Sequence, residues 1–438
     1  MEIINYLIKR LEGINATDII VHHTKSRTKH IKFYNSKIGV INEFDDESIN
    51  LFLAFEKRIL ITDLKDISKK GIENKMRKIK NIIQFIPEKQ DYFGIAEGIF
   101  KYRKQDGFYN REVEKSEKSI EIAEESINSA MNHGAQRVAG VLESSVVEKR
   151  IISNKGAEAF QKETTTYLSI RSLVKDASGH TTSIARNFKD LRHKEKSEES
   201  ADIALQGLKK QKIEIGKYDV IYYPLASSSI IENIGEASSI FNLETGTSCF
   251  KGMVEKRVAN DIITLTDNPL QNKIPGSKLF DDEGVPTQEN VIIEKGIFKK
   301  FLHNTSTARK YKTRTTANAG LISPEPHLLS LKPKDSNLQE MIETTKNGLI
   351  VTNTWYTRFQ NYATGDFSTI PRDTILIVKN KSIIGSTYGI RINDNLIRMM
   401  KNTTMIGKKA IPTTGWETSG ILVLPIFKVK DVLITRPK

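Results

Sequence analysis

Hydrophobic and polar residues in the first half of the chain alternate in short runs typical of β-strands, and helical patterns separate these runs. Strand-like runs at 29–44 and 48–64 lead into a basic amphipathic helix at about 65–85. Asn35 lies within the first run, and Asn is a residue that tight hairpin turns favour. We therefore predict strands around this turn, followed by a helix.

The same order of elements returns further along the chain. Strand-like runs at 148–163 and 164–188 precede a helical pattern at 197–210, and Asn154 lies within the first of these runs. The two segments share few identical residues, but the order of strands, turn and helix agrees. Self-similarity of this kind predicts an internal duplication.

From about residue 211 the pattern changes to short apolar runs separated by Gly, Asn, Pro and Thr, with one helical pattern at 229–241. Hairpin patterns turn at Lys295–Gly296 and Asn380–Lys381. Closing strands follow at 420–434, where Pro425 predicts an edge strand or a bulge. We predict an α+β protein. A duplicated N-terminal region of strand hairpins and helices should precede a mainly antiparallel β C-terminal domain.

The length of 438 residues allows two or three domains. We place an N-terminal α/β unit at 1–110, a central α/β unit resembling it at 111–212 and a mostly β domain at 213–438. With 38% hydrophobic and 27% charged residues, the composition is that of ordinary globular proteins. No apolar stretch approaches the ~20 residues of a membrane span, and the charged N-terminal pattern is unlike a signal peptide. We therefore expect a cytoplasmic protein with no membrane partner.

The formal net charge of +14 raises the question of nucleic-acid binding. However, lysines and glutamates are interleaved, as at 114–125, which is typical of solvated helix faces. No sequence signature of a nucleic-acid-binding module is present, so we expect no nucleic-acid partner. The single cysteine, Cys249, excludes an internal disulfide framework and is expected to be a core residue.

Two glutamates in the 229–241 pattern are the first candidates for chemistry. Glu232 and Glu236 stand one helical turn apart, and paired carboxylates can bind a metal or move protons. The apolar positions of the same pattern, expected to face a core, are Ile230, Ile234, Ala237 and Phe241. The acidic run at 281–283 lacks the alternating ligands of a calcium loop and is expected to form a structured turn.

An aromatic stretch at 353–368 is the second candidate, because aromatic side chains give a large contact area at low entropic cost. Its candidate substrate or interface residues are Tyr356, Arg358, Phe359, Tyr362 and Asp366. The stretch is equally compatible with an aromatic core patch beside a Gly turn.

Three segments together resemble the TldD/PmbA family of metallopeptidases: 216–252, the DEG-PTQ turn and hairpin with its helix start at 280–311, and TGDFS at 364–368. The resemblance implies cytosolic dimers, often of one catalytic and one non-catalytic subunit, which pass unfolded peptides through an internal chamber. It also implies that catalytic members bind zinc through HExxxH and a distant cysteine, with the glutamate as general base.

The HExxxH pattern aligns with residues 231–236. Ile231 stands at the first histidine and Glu236 at the second, while Glu232 matches the glutamate. The cysteine ligand is expected within 412–420, which contains none. Glu232 would then form a capping box with Ser229, and Glu236 would face solvent or the chamber wall.

With all three zinc ligands replaced, the sequence resembles the non-catalytic PmbA (TldE) branch. The predicted function is a partner subunit of a zinc peptidase complex, with no cofactor in this chain and zinc only in a catalytic partner. The partner would be a TldD-like subunit in a heterodimer or a second copy in a homodimer, and the substrate an unfolded peptide. Two alternatives stay open: a stand-alone peptide-binding protein, or a peptidase with an atypical metal site at Glu232 and Glu236.

Overall fold

The computed structural model describes residues 2–436. Its first unit is an α-helix, three antiparallel strands and a second helix. The elements are α1 (Glu2–Glu12), β1 (Asp18–Tyr34), β2 (Lys37–Phe55), β3 (Arg58–Leu64) and α2 (Lys69–Ile83). At the β1–β2 turn, Asn35 and Ser36 have φ angles of 49° and 59°. Two positive φ angles in a two-residue turn match the right-handed twist of the strands, as the sequence predicts for Asn35.

The second unit has the same order of elements and follows a long connection that contains a short helix. The elements are α3 (Arg111–Lys115), α4 (Ser119–Asn132), β4 (Arg137–Ser153), β5 (Glu158–Val174), β6 (Ala177–Ala185) and α5 (His193–Gln206). The amide of Asn154 donates to the carbonyl of Thr17, and its Oδ1 accepts from the N–H of Ile19. Asn154 therefore ties the second hairpin to the first unit.

The two units form one six-stranded sheet of order β3-β2-β1-β4-β5-β6, in which β1 and β4 pair antiparallel at the centre. The predicted duplication is confirmed as two α-β-β-β-α units. The units share a sheet, because the first strand of one pairs with the first strand of the other. Their helices cover one face, where Ile31, Leu142 and Leu168 belong to a common core.

The C-terminal region is strand-rich with short helices. Its first elements are β7 (Gly216–Tyr222), α6 (Pro224–Ala237), α7 (Ile240–Glu244), β8 (Leu265–Asp267), β9 (Asn290–Glu294), β10 (Ile297–Phe298), α8 (Thr305–Lys310), β11 (Leu328–Leu331) and α9 (Leu338–Glu343). The remaining elements are β12 (Asn347–Asn361), β13 (Asp366–Lys379), β14 (Ser382–Thr387), β15 (Arg391–Asn395), α10 (Leu396–Lys401), β16 (Thr403–Ile406), β17 (Ile411–Thr413), β18 (Ile421–Leu424) and β19 (Phe427–Thr435).

These strands form two sheets around one apolar core. One has the order β10-β9-β8-β11-β18-β17, and the other has the order β12-β7-β19-β15-β13-β14, with β16 paired to β19. Pairing is antiparallel except for β11 with β18 and β12 with β7, so the prediction of a mainly antiparallel domain is confirmed. Helix α6 contributes Ile230, Ile231 and Ile234 to the core.

Three details of the C-terminal prediction can be compared with the structure. The hairpins turn at Lys295–Gly296 and Asn380–Lys381 as predicted. Pro425 lies neither in an edge strand nor at a bulge, because it falls between β18 and β19, where the chain crosses from one sheet to the other. Phe241 is partly exposed on α7 and does not extend the buried face of α6. Within residues 2–436, no helix is both long and apolar enough to cross a membrane.

Candidate functional site

A cavity of about 860 Å³ lies between the six-stranded sheet and the C-terminal region. Glu143 and Tyr167, from β4 and β5, line one wall. Glu232 and Glu236, from α6, line the opposite wall, and Trp416 lies in the loop beside them. The helix-free face of the N-terminal sheet is therefore the face that meets α6 of the C-terminal region. Polar side chains from both regions line one cavity.

Glu232 anchors the loop that joins β17 to β18. Its Oε1 accepts from the N–H groups of Ser419 and Gly420, both at 2.9 Å, and from the Ser419 hydroxyl at 3.0 Å. The side chain is 8% exposed. Burial raises the pKa of Glu232, and the three hydrogen bonds oppose that rise by stabilising the carboxylate.

The predicted capping box is wrong. Helix α6 begins at Pro224, so Ser229 lies in its second turn, where every backbone N–H already has a partner in the helix. The Ser229 hydroxyl contacts that of Thr357 at 2.9 Å. The local spacing of Ser229 and Glu232 matched a capping motif, but the helix starts earlier than the motif requires.

Glu236 lines the cavity wall, which is one of the two positions that the sequence analysis predicted for it. Burial, together with the nearby carboxylates of Glu232 and Glu325, raises its pKa to about 7. A carboxyl group with that pKa is partly protonated at neutral pH. It can therefore exchange a proton or donate a hydrogen bond into the cavity.

Ile231 and Glu236 do not come together as a ligand pair. Ile231 is buried in the core with Ile234 and Leu265, on the side of α6 away from the cavity. Cys249 is also buried, as expected, and burial raises the pKa of its thiol to about 11. Across the residues that the structure describes, no group of three or more His, Cys, Asp or Glu side chains is placed to bind a metal.

The loop at 412–420 is held at three further points. The carboxylate of Glu417 accepts from the N–H of Thr357 at 3.2 Å and from the guanidinium of Arg358 at 3.3 Å. The carbonyl of Thr414 accepts from the hydroxyl of Thr182 on β6 at 3.3 Å. The loop thus joins both regions of the molecule. Sequence reasoning located this stretch only by its missing cysteine and did not find the anchoring roles of Glu417 and Ser419.

Tyr356 and Arg358, from the aromatic stretch, lie beside this loop. The rings of Trp355, Tyr356 and Trp416 meet edge to face, with centroids 5.5–6.4 Å apart. Tyr356 has a φ angle of 58° at an irregularity in β12. Such a backbone conformation is costly for a bulky residue and is more frequent at functional sites than elsewhere. The guanidinium of Arg358 lies 5.8 Å from the Tyr356 ring.

Phe359 and Tyr362 lie on the other side of Glu236. Their rings stack with centroids 4.8 Å apart and line a second hollow of about 210 Å³, which Glu236 also lines. Asp366 accepts from the amide of Asn395 at 2.8 Å, so its carboxylate organises a turn. The aromatic candidates therefore flank Glu236 and the anchored loop, whereas Asp366 does not face either hollow.

The acidic run at 281–283 forms a structured turn, as expected. Asp281 is fully buried, and its carboxylate accepts from the N–H groups of Val285 at 2.9 Å and Ala319 at 3.1 Å. Other charged residues of the cavity lie in no motif from which the sequence could predict their position. Lys278 and Glu325 line the wall opposite the sheet, with the ammonium 3.7 Å from the carboxylate.

Family models identify the class of protein that this fold and site represent. The model described as the PmbA/TldA metallopeptidase C-terminal domain matches residues 215–436, and that of the PmbA/TldA metallopeptidase central domain matches residues 110–208. The chain therefore belongs to the TldD/PmbA metallopeptidase family, as its motifs led us to expect.

Individual relatives agree with this assignment. A PmbA metalloprotease homolog of Buchnera aphidicola is 25% identical over 82% of each chain. A metalloprotease of Methanocaldococcus jannaschii is 35% identical over 159 residues, 35% of each chain. A TldD metalloprotease homolog of Buchnera aphidicola is 31% identical over 37% of this chain and 32% of its own. The chain thus matches about a third of the length of the last two relatives.

Solved structures share the whole fold. The crystal structure of TldE from Thermococcus kodakarensis superposes with a TM-score of 0.85 at 18% identity, covering 99% of this chain and all of TldE. A Thermotoga maritima protein superposes with a TM-score of 0.86 at 20% identity over 99% of each chain. At these identities the likeness establishes the fold.

Proposed function

We propose that this chain is the non-catalytic subunit of a TldD/TldE-type zinc peptidase complex that degrades unfolded peptides in the cytoplasm. The observation that carries the proposal is the position of Glu232. In the aligned HExxxH pattern this residue would be the general base, but here its Oε1 accepts three hydrogen bonds from Ser419 and Gly420. The glutamate holds the loop that would otherwise carry the cysteine ligand.

The chemistry of the neighbouring residues supports the same proposal. A catalytic zinc site needs three protein ligands and one open position for water. Ile231 has no ligand atom and lies in the core. Glu236 has a pKa of about 7, so protons compete with any cation for its carboxylate at neutral pH. Zinc would therefore belong to a catalytic partner subunit, with the present chain providing walls and contacts for the peptide.

The cavity supports a role in peptide binding. Its volume of about 860 Å³ lies in the range of ligand sites. Lysine and glutamate side chains line it beside apolar ones, including Lys149, Lys278 and Glu163. Mixed charges and apolar surface suit an unfolded peptide of varied sequence better than one small ligand. Trp416 would contribute aromatic contact area in the cavity, and Phe359 and Tyr362 would contribute it in the second hollow beside Glu236.

Reconstitution tests the proposal. The purified chain should contain no stoichiometric zinc and should not cleave casein. When mixed with an HExxxH-containing paralogue from the same genome, it should form a stable heterodimer and switch on casein cleavage. Glu232→Gln separates an anchor from a catalytic base, because the amide oxygen still accepts hydrogen bonds but the side chain can no longer take up a proton. The complex with this variant should keep at least half of its activity.

Trp416→Ala is the matched change in the same loop. It removes an aromatic cavity side chain without touching Glu232, and we expect at least a fivefold loss of peptide turnover in the complex. A chain that cleaves casein alone and loses this activity on Glu232→Gln would refute the proposal. It would favour the atypical metal site.

A second candidate function is a stand-alone peptide-binding protein, with no peptidase partner. It is favoured by one observation, namely that both walls of the cavity are formed by a single chain. Isothermal titration with unstructured peptides distinguishes the two functions. Micromolar binding by the chain alone, together with no complex with the HExxxH paralogue, would favour the stand-alone protein.

A further inference from the structure

Helix α2 carries a concentration of positive charge that its surroundings do not balance. Its 15 residues contain six cationic side chains and one carboxylate, Glu73. That carboxylate points to α1, where it accepts from the guanidinium of Arg10 at 2.6 Å and from the hydroxyl of Tyr6 at 2.6 Å. The six cationic residues are Lys69, Lys70, Lys75, Arg77, Lys78 and Lys80.

None of these six side chains forms an ion pair with a carboxylate of residues 2–436; the one acid of the helix pairs with α1 instead. The nearest acidic residues on either side of the helix have other partners. Asp66 accepts from the N–H of Ser68 at 2.9 Å, and Glu88 forms an ion pair with Arg58 at 2.9 Å. The interleaved charges that are typical of solvated helix faces are therefore absent from this helix.

The most exposed cations lie along one face of α2. Ile72, Met76 and Ile79 recur every three or four residues and are buried in the core beneath the helix. Positions 70, 77, 78 and 85 recur every seven or eight residues, so they follow one another along the opposite face, and the last lies just beyond the helix end. The outer face of the helix is therefore a row of cations that leads to residue 85.

This row ends in exposed apolar side chains. Phe85 is 79% exposed, and Ile82, one turn before it, is 45% exposed. The N–H of Phe85 donates to the carbonyl of Ile82 at 3.0 Å, so a hydrogen-bonded turn holds both residues beside the last cations of the helix. We name the following five residues the basic stripe: Lys70, Arg77, Lys78, Ile82 and Phe85.

The basic stripe lies on the side of the sheet away from the cavity. In β1, Ile19 and Val21 belong to the core under α1 and α2. Ile20, between them, points to the other face, where it packs with Phe280 of the C-terminal region. Successive residues of a strand point to opposite faces, so α2 covers the outer face of the N-terminal sheet. A partner bound to the stripe would leave the cavity open.

The combination of cations and exposed apolar side chains indicates the class of partner. Clusters of about four to eight Lys and Arg side chains on a helix bind anionic phospholipid headgroups. Apolar side chains beside such charges gain by entering the boundary between headgroups and acyl chains. The nucleic-acid backbone would be attracted by the same charges, but its contacts are hydrogen bonds to phosphate and sugar, which do not cover Phe85 and Ile82.

We propose that the basic stripe docks this chain on the surface of an anionic phospholipid membrane. The cations contact the headgroups, and the side chains of Phe85 and Ile82 enter the boundary with the acyl chains. The expectation of no membrane partner rested on the lack of an apolar span, and contact with a membrane surface requires none. This inference concerns α2 and does not depend on the proposed peptidase complex.

Co-sedimentation with vesicles tests the charges. The native chain should bind vesicles of phosphatidylglycerol and phosphatidylcholine at least tenfold more tightly than vesicles of phosphatidylcholine alone. The triple variant Lys70→Gln, Arg77→Gln, Lys78→Gln should raise the lipid concentration for half-maximal binding at least tenfold, because each cation near an anionic surface adds to the attraction. Circular dichroism checks that the variant is folded.

A control with the same net charge removes three exposed lysines of the C-terminal region. These changes are Lys300→Gln, Lys332→Gln and Lys381→Gln. Because they lie outside the basic stripe, this variant should bind anionic vesicles like the native chain. An equal loss of binding in the control would mean that only net charge matters.

A fluorescent label tests the apolar end of the stripe. Cys249 is the only cysteine and is buried, so Phe85→Cys provides one accessible thiol for an environment-sensitive fluorophore. Its emission should shift to the blue on anionic vesicles, whereas the same label on Lys381→Cys should not shift. Phe85→Ser should weaken vesicle binding at least threefold, and this loss should persist at salt concentrations that screen the charges.

Four results would overturn the proposal. They are a native chain that does not bind anionic vesicles, a triple variant that binds like the native chain, a control that loses as much binding as the triple variant, and a label at residue 85 whose emission does not shift. Tighter binding to duplex DNA than to anionic vesicles, lost in the triple variant, would also overturn it and would assign the stripe to nucleic acid.

Discussion

The β1–β2 hairpin and helix α6 differ in how closely their surroundings are packed. In the hairpin, β1 pairs with β4 at the centre of the sheet, whereas residues 39–47 of β2 are exposed on both faces. Helix α6 is buried on almost every side, and even Glu232 has hydrogen-bond partners. An added side chain that meets a neighbour at the same short distance should therefore have different effects in the two regions. The neighbour can move into solvent in the hairpin but is held in place by the core around α6.

The largest expected difference in stability is between substitutions at Gly235 and at Gly39. A Cβ at Gly235 would lie 2.3 Å from a side-chain carbon of buried Leu329, and a Cβ at Gly39 would lie 2.2 Å from the exposed Tyr34 ring. Gly235→Val should cost about 3 kcal/mol, since overpacking a core forces strain. Gly39→Val should be nearly neutral, because the ring can swing into solvent and Val favours strands. Urea unfolding of both variants measures the contrast, and equal losses would show that the hairpin is as rigid as the core.

Glu232 and Glu236 give the next largest contrast, within α6 itself. Glu232→Ala should lower the free energy of unfolding by about 2 kcal/mol, because it removes the charged acceptor of the N–H groups of Ser419 and Gly420 and of the Ser419 hydroxyl. Glu232→Gln should recover more than half of that loss. Glu236→Ala, the matched control one turn away, should cost little, because burial disfavours its charged form. Thermal and urea unfolding at pH 7 compare the three variants. A larger loss of unfolding free energy for Glu236→Ala than for Glu232→Ala would show that Glu236, and not Glu232, stabilises the fold.

The raised pKa of Glu236 should also appear in the pH dependence of stability. The pKa of Glu236 is about 7 in the folded protein, compared with 4.5 for an unperturbed glutamate. Between these values the folded state binds more protons than the unfolded state, so the contribution of Glu236 to stability falls as the pH rises from about 4.5 to 7. Glu236→Gln should flatten this part of the stability–pH curve. An unchanged slope in urea unfolding across that range would contradict the raised pKa.

The smallest effect is expected in the ladder of ion pairs between β1 and β2, which consists of Lys29–Glu43, Arg27–Asp45 and Lys25–Glu47. Arg27 and Asp45 form an ion pair with both side chains well exposed. Solvent-exposed pairs of this kind contribute little, and salt screens them. Arg27→Gln should leave the urea midpoint of unfolding within experimental error at moderate salt. A clear loss that persists at 1 M salt would mean that the ladder stabilises the hairpin by more than charge.

Much of the hairpin region was predictable because its contacts are local. β1 pairs with β2 across a two-residue turn, and β2 with β3 across another, so the periodicity and turn residues specify most of the pairing. Asn35 is in the predicted turn with the predicted backbone. The pairing of β1 with β4 was not predictable, because it joins residues more than a hundred positions apart and no local pattern records it.

The candidate site was predicted only in part, for the same reason. The sequence identified Glu232, Glu236 and the 412–420 stretch, and it identified the absence of histidine and cysteine ligands. It assigned Glu232 to a capping box, since Ser229 lies three residues before it. The true partners of Glu232, Ser419 and Gly420, are 187 and 188 residues away.

By itself the sequence determined the class of fold, the duplicated units, the hairpin turns and the family, because each depends on residue types at short spacings. The tertiary structure alone decided which face of the sheet meets α6, and thereby where the cavity lies. It also decided that Glu236 faces that cavity while Ile231 faces the core. The physical reason is that hydrogen bonds and burial between distant segments form only after the sheets have packed, and they then set the environment of each carboxylate.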